Sequence, residues 1–283
     1  MKTTPLLSRE EYVEQAYFFR ILRERIADNF STQEVLKGVS EEILSTTRLP
    51  YAIQFLSAEL KHSGLLAAGF SRLAHYFTPF QTFVIRQAEE DGRRFSMAAA
   101  LLVLEREAEY RATPPPPIGL FIFQFEVICR NRLGYDEGLI AMAGDPNYDV
   151  DWRDYLEMVR RQVGVVDFAE LVYLRSEQYV HDQRRQDPGY EPPVPALVGE
   201  KEGKIAKANM RRDPLYFFGS LQRQLGYPEV PRPRPRDDSS NQLQMLQAKV
   251  QELESRLKLL ESEARGHIDL SQFGKPDLFR DDD

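Results

Sequence analysis

Ser8-Arg9-Glu10-Glu11-Tyr12-Val13-Glu14-Gln15-Ala16-Tyr17-Phe18-Phe19-Arg20-Ile21-Leu22-Arg23-Glu24-Arg25-Ile26 carries the pattern on which the fold class turns. Ser8 and Glu11 stand three apart, the spacing of a capping box, in which the serine oxygen accepts the third helical amide and the acidic side chain reaches back. Behind them Tyr12, Ala16, Phe19, Leu22 and Ile26 recur every three or four residues, which puts one apolar stripe along a helix. The same start chemistry returns in Ser31 with Glu34, Thr78 with Gln81, and Asp167 with Glu170. Thr78-Pro79 and Asp213-Pro214 add a cap followed by proline at the first helical position, where the missing N–H costs nothing. Leu101, Leu104, Ala108 and Tyr110 trace a second stripe, and Trp152, Leu156 and Val159 begin a third. No Asn-Gly hairpin signal and no alternating run of β-branched residues interrupts the pattern. The reading is all-α: roughly ten helices in an irregular helical bundle or a helical-hairpin array, followed by a C-terminal coiled-coil helix.

Breakers set the organisation. Pro114 through Pro117 form a run that no helix crosses, so the helix ending near Arg111 stops there. Asp145-Pro146-Asn147 reads as a turn, and the stretch from Asp187 to Glu202 as a surface wrap. Pro228-Glu229-Val230-Pro231-Arg232-Pro233-Arg234-Pro235-Arg236 has the composition of an extended spacer. The expected organisation is a globular body over 1–227, a linker over 228–240, a coiled-coil helix over 241–266 and a flexible acidic tail over 267–283.

Two internal echoes are visible. Arg72-Leu73-Ala74-His75-Tyr76 before Thr78-Pro79 resembles Arg106-Glu107-Ala108-Glu109-Tyr110 before Thr113-Pro114, at the spacing of a tetratricopeptide helix pair. Ala67, Ala74 and Pro79 fall where that family keeps small residues and its closing proline, but its tryptophan and Leu-Gly positions are unmatched. Such an array would imply a concave binding surface and no particular ligand. The second echo, Leu133-Gly134-Tyr135 and Leu225-Gly226-Tyr227, reads as two helix ends with glycine supplying the left-handed cap.

The sharpest signal lies near the C-terminus. Leu243, Val250, Leu257 and Ala264 stand seven apart, and Leu246, Leu253 and Leu260 fill the alternate positions of a heptad, the seam of a left-handed coiled coil. Lys249 and Arg256 fall at g, Glu254 and Glu261 at e. In a parallel pair Lys249 meets Glu254 and Arg256 meets Glu261 of the other strand. Leucine at most a positions leaves both dimer and trimer open. A helix packing back on its own body and a different protein supplying the second strand are the alternatives. The narrow stripe and the stiff spacer favour self-association, since a helix docked on a globule shows a broader apolar face. Three heptads are marginal alone, so the coil is expected to dissociate on dilution unless the body adds a contact.

Chemistry is sparse. Glu59-Leu60-Lys61-His62 has the Glu-x-x-His spacing of ferritin-like carboxylate sites, with Glu14, Glu105 and Glu109 on other helices as possible partners. That architecture needs the motif twice and the chain has it once; Glu177 and His181 are four apart. His75 reads as a core or boundary histidine, and Cys129, in an apolar run, as an inert thiol. Gly199-Glu200-Lys201-Glu202-Gly203-Lys204-Ile205 is one residue short of a P-loop and lacks its Ser or Thr. The Arg184-Arg185, Arg211-Arg212 and Arg232-Arg234-Arg236 clusters carry no interleaved aromatics for base stacking. In the tail, Leu270 with Phe273 and Leu278 with Phe279 among acidic residues have the look of a peptide ligand for a partner groove.

Composition fits this reading. The 283 residues are 42% hydrophobic, enough for a sizeable core. Lys plus Arg number 37 against 44 Asp plus Glu, a net charge of -7 that disfavours phosphate-backbone binding. The single cysteine excludes an internal disulfide and points to a reducing, cytoplasmic home. No apolar run approaches the roughly 20 residues of a membrane span, and the N-terminus lacks the apolar core of a secretory signal. The expected function is a non-enzymatic adaptor or scaffold, with itself (dimer or trimer) and another protein as partners. A metal-dependent helical-bundle enzyme around Glu59 and His62 is the alternative. No cofactor, membrane or nucleic acid is expected.

Overall fold

The computed structural model describes residues 6–90 and 95–232, together with 246, 249, 250, 253 and 257. Among the described residues the chain is helical throughout, with only isolated bridges such as Ser176–Val198 and no strand. It divides into two compact units, Met1–Pro233 and Arg234–Asp283.

The first unit opens with α1 (Arg9–Ala27), α2 (Thr32–Glu42), α3 (Leu49–Ser63), α4 (Leu66–Arg72) and α5 (Pro79–Glu89). It continues through α6 (Met97–Ala112), α7 (Pro117–Asn131), α8 (Tyr135–Ala143) and α9 (Val150–Gln162), and ends with α10 (Phe168–Leu174), α11 (Glu177–Gln186), α12 (Glu200–Asn209) and α13 (Pro214–Leu225).

Caps start these helices largely where the residue types allow them. Ser31 with Glu34 and Thr78 with Gln81 close both arms of the capping box. Ser8 closes only one, its hydroxyl accepting the Glu11 amide. Asp167 and Asp213 cap one residue earlier than box geometry, on the amides of Ala169 and Leu215. An aspartate side chain is short and bonds readily two residues on.

The two Leu-Gly-Tyr echoes differ in structure. Gly226 is the left-handed cap of α13, at φ 66°. After α7 that conformation falls instead on Arg132, at φ 54°, while Gly134 at φ -65° becomes the N-cap of α8. The other echo also fails to repeat. Arg106 to Tyr110 lie inside α6, but α4 ends at Arg72 and the chain turns through 73–76, with the Phe77 amide returning to the Leu73 carbonyl. His75 is therefore exposed on a turn rather than set in a core helix.

Packing is not that of a solenoid, in which each hairpin touches only its neighbours. The most extensive helix pairing joins α1 to α6, and α5 also packs on α8. At the centre stands α7, buried continuously from Ile118 to Ile128. A helix apolar on all sides belongs inside. Around it Phe121, Trp152, Tyr155, Phe168 and Phe218 form one aromatic cluster, with Phe125 and Phe168 stacked at 3.8 Å. A second cluster of Phe18, Phe19, Phe70 and Phe77 locks α1 to α4. The body's packing runs past Tyr227. Val230 is buried, and the Asn131 amide donates to the Pro231 carbonyl at 3.3 Å.

Candidate functional site

In the second unit, Leu246, Lys249, Val250, Leu253 and Leu257 are all helical. Leu246, Val250, Leu253 and Leu257 follow one another at steps of four, three and four, so they share a face. Their exposures are 60%, 50%, 56% and 59%. Four large aliphatic side chains in one stripe, each half or more open to water, form an exposed apolar surface. Of the other residues read into this surface, Leu243, Glu254, Arg256, Leu260 and Glu261 lie outside the described residues, as do Leu270, Phe273, Leu278 and Phe279 of the tail.

The residues of the metal reading are scattered into separate contacts. Glu59 accepts from Arg72 at 2.7 Å, Glu105 from Arg23 at 2.9 Å, and Glu14 from the Leu44 amide at 3.1 Å. Glu109 pairs with Arg106 at 3.5 Å, and His62 is exposed. Among the described residues no group of three or more His, Cys, Asp or Glu side chains is placed to hold a metal ion. Cys129 touches the Tyr135 hydroxyl at 3.6 Å, and burial pushes its thiol up to about 11, away from the reactive thiolate. Gly199 to Ile205 forms the start of α12, with Gly199 as its N-cap, and not a phosphate loop.

Within the body, the densest polar chemistry is a cluster the sequence reading did not assemble. Arg111, on the last turn of α6, donates to Glu107 at 3.0 Å and to both carboxylate oxygens of Asp145 in the α8–α9 turn. Gln124 of α7 donates to Glu107 at 2.8 Å and accepts from the Tyr148 hydroxyl at 2.9 Å. Glu107, Gln124 and Asp145 are fully buried. The two carboxylates hold the guanidinium in its charged form against the cost of desolvation, and burial drives the Tyr148 phenol far up. The cluster thus ties α6, α7 and the α8–α9 turn at one point. Its members are 34 residues apart in sequence at Arg111 and Asp145, so no local spacing announces it. The one signal was a polar residue, Gln124, inside the apolar run of α7.

Beside this cluster opens a pocket of about 100 Å³. Arg9, Arg111 and Asn147 line it with Tyr12, and Leu7, Ala112 and Pro115 form apolar wall. The Tyr12 hydroxyl accepts the Leu7 amide at 3.4 Å, and its phenol is raised, chiefly by burial. The Nε of Arg111 and the Nδ2 of Asn147 are buried donors with no hydrogen-bond partner in the structure.

No helix among the described residues is long and apolar enough to cross a membrane. No protein-family model, no curated protein and no solved structure matches the chain.

Proposed function

We propose that this chain is a non-enzymatic protein-interaction adaptor that self-associates through a parallel coiled coil centred on residues 243–264. The observation that carries the reading is the exposed stripe of Leu246, Val250, Leu253 and Leu257. Burying such a stripe against a second copy removes it from water, at about 25 cal/mol for each Å² of apolar surface. Charge selects the orientation. Lys249 and Arg256 at g face Glu254 and Glu261 at e of a parallel partner. An antiparallel pair sets g against g and e against e, like against like. The helical body displayed on this coil, and the tail with Leu270, Phe273, Leu278 and Phe279, then present two or three copies of a surface to another protein.

Light scattering coupled to size exclusion tests this on the full chain and on a Leu246→Asp, Leu253→Asp variant. The full chain runs as a dimer or trimer and the variant as a monomer with an unchanged helical circular-dichroism spectrum for the body. Equal masses for the two proteins overturn the reading.

A further inference from the structure

Two arginines are buried among the described residues, and their charges are met in opposite ways. Arg111 has two carboxylates. Arg175, 9% exposed, has none: among the described residues no acidic side chain pairs with it and no acceptor bonds its guanidinium. Its Nε is enclosed, but the terminal Nη1 and Nη2 are not, so the two-pronged end of the guanidinium is the part that opens outward.

The bed of this side chain is aromatic. The guanidinium carbon lies 5.6 Å from the centroid of the Tyr155 ring, which meets Trp152 edge-on at 5.7 Å. A ring face offsets part of the charge and accepts none of the N–H bonds at the fork. The Tyr155 hydroxyl is buried without a partner, and Arg175 is the one charge that acts on it. The carboxylates of the next helix, α11, are engaged elsewhere. Glu177 accepts the Glu200 amide at 3.2 Å, and Asp182 accepts from Tyr173, Gln178 and Lys207.

The backbone fixes the arginine. Its N–H donates to the Tyr173 carbonyl at the end of α10, and its own carbonyl accepts the Leu197 and Val198 amides at 2.9 and 3.1 Å. A fork held in advance loses less freedom when a ligand arrives. Charge and shape then choose the ligand. A buried cation with no counter-charge calls for an anion. Two parallel N–H donors in one plane match the two oxygens of a carboxylate. The only other buried cation among the described residues is the engaged Arg111, so one positive charge is on offer, enough for a monoanion and short of a phosphate dianion.

We propose that Arg175 is the anchor of a carboxylate-binding site at the α10–α11 junction, with Nη1 and Nη2 donating to the two carboxylate oxygens. The chemistry is shared by a small free carboxylate and by an aspartate or glutamate side chain on a partner peptide. It is independent of the coil.

NMR titration of the full chain, read at the amides of residues 175 and 198 and at constant ionic strength, compares acetate, acetamide, inorganic phosphate and the capped peptide acetyl-Ala-Glu-Ala-amide. Acetate binds at least ten-fold more tightly than acetamide, its neutral isostere, and at least three-fold more tightly than phosphate. Arg175→Gln abolishes the acetate shifts. Arg175→Lys, which keeps the charge and loses the fork, weakens acetate at least three-fold, and an unchanged helical circular-dichroism spectrum shows that it is folded. A peptide ten-fold tighter than acetate assigns the carboxylate to a partner chain; equal or weaker peptide binding assigns it to a free molecule. Acetamide or phosphate binding as tightly as acetate overturns the proposal, as does acetate binding that Arg175→Lys leaves unchanged. So does the absence of any shift at these amides with all four probes, which leaves a guanidinium that meets water only.

Discussion

Arg111 is worth more to this fold by what it neutralises than by any contact it makes. Glu107 and Asp145 are both fully buried, and the guanidinium is the one cation they share among the described residues. Arg111→Met keeps the length of the side chain and strands both carboxylates. The expected loss is about 3–5 kcal/mol, the cost of an uncompensated buried charge, read as a fall in the urea midpoint. Glu89 poses the opposite case. It caps α4 by accepting the Leu66 and Ala67 amides at 2.5 and 3.0 Å, yet burial outweighs those bonds and raises its carboxyl above the ordinary 4.5. The folded chain therefore takes up this proton at a higher pH than the unfolded chain. Its contribution to stability rises as the pH falls through the folded value towards 4.5 and is flat below that. Unfolding free energies of the native chain and Glu89→Gln at pH 7 and pH 5 check the sign. The native chain gains relative to the variant at pH 5; a loss there contradicts the assignment.

At the scale of the element, two glycines inside helices have opposite roles. A methyl group on Gly203 of α12 would lie 2.3 Å from the Ser176 hydroxyl and 2.6 Å from its Cβ, so α12 approaches the start of α11 only because that group is missing. Gly203→Ala is expected to destabilise by about 1–3 kcal/mol despite alanine's better helix propensity. Gly219 of α13 would meet only the tip of Arg223 at 4.0 Å, and Gly219→Ala is expected to stabilise by about 0.5–1 kcal/mol. Thermal melts of the pair move in opposite directions if the packing is right. The same contrast explains what was legible beforehand. Helices opened by Ser31, Thr78 or Asp213 declare themselves, because a cap acts on amides two or three residues away. Helix α3 starts at Arg48 with no hydrogen bond from that residue's own side chain, and α4 and α12 likewise begin on Leu65 and Gly199, neither of which has a side chain that can cap. Those starts follow from tertiary packing, which no local pattern carries. The pocket was illegible for the same reason, since Tyr12, Arg111 and Asn147 meet only once α1 has docked on α6.

At the scale of the whole molecule, the proposed assembly rests on a short seam, and a short seam is sensitive to its flanking charges. Each g–e′ pair contributes only about 0.2–1 kcal/mol, but in a two-stranded coil Lys249–Glu254 and Arg256–Glu261 each occur twice by symmetry. Lys249→Glu with Arg256→Glu turns all four contacts repulsive, as does Glu254→Lys with Glu261→Lys. Neither variant touches Leu246, Val250, Leu253 or Leu257, so the apolar stripe is unchanged in both. Each alone is expected to run as a monomer at a concentration where the native chain is associated. Mixed in equal amounts, the two restore every g–e′ attraction and recover the native mass, with light scattering as the readout and high salt weakening the rescue. A back-packed helix, or one kept for a different protein, predicts a single unchanged mass for the native chain, both variants and the mixture. Recovery only on mixing is the signature of a strand supplied by another copy of the same chain.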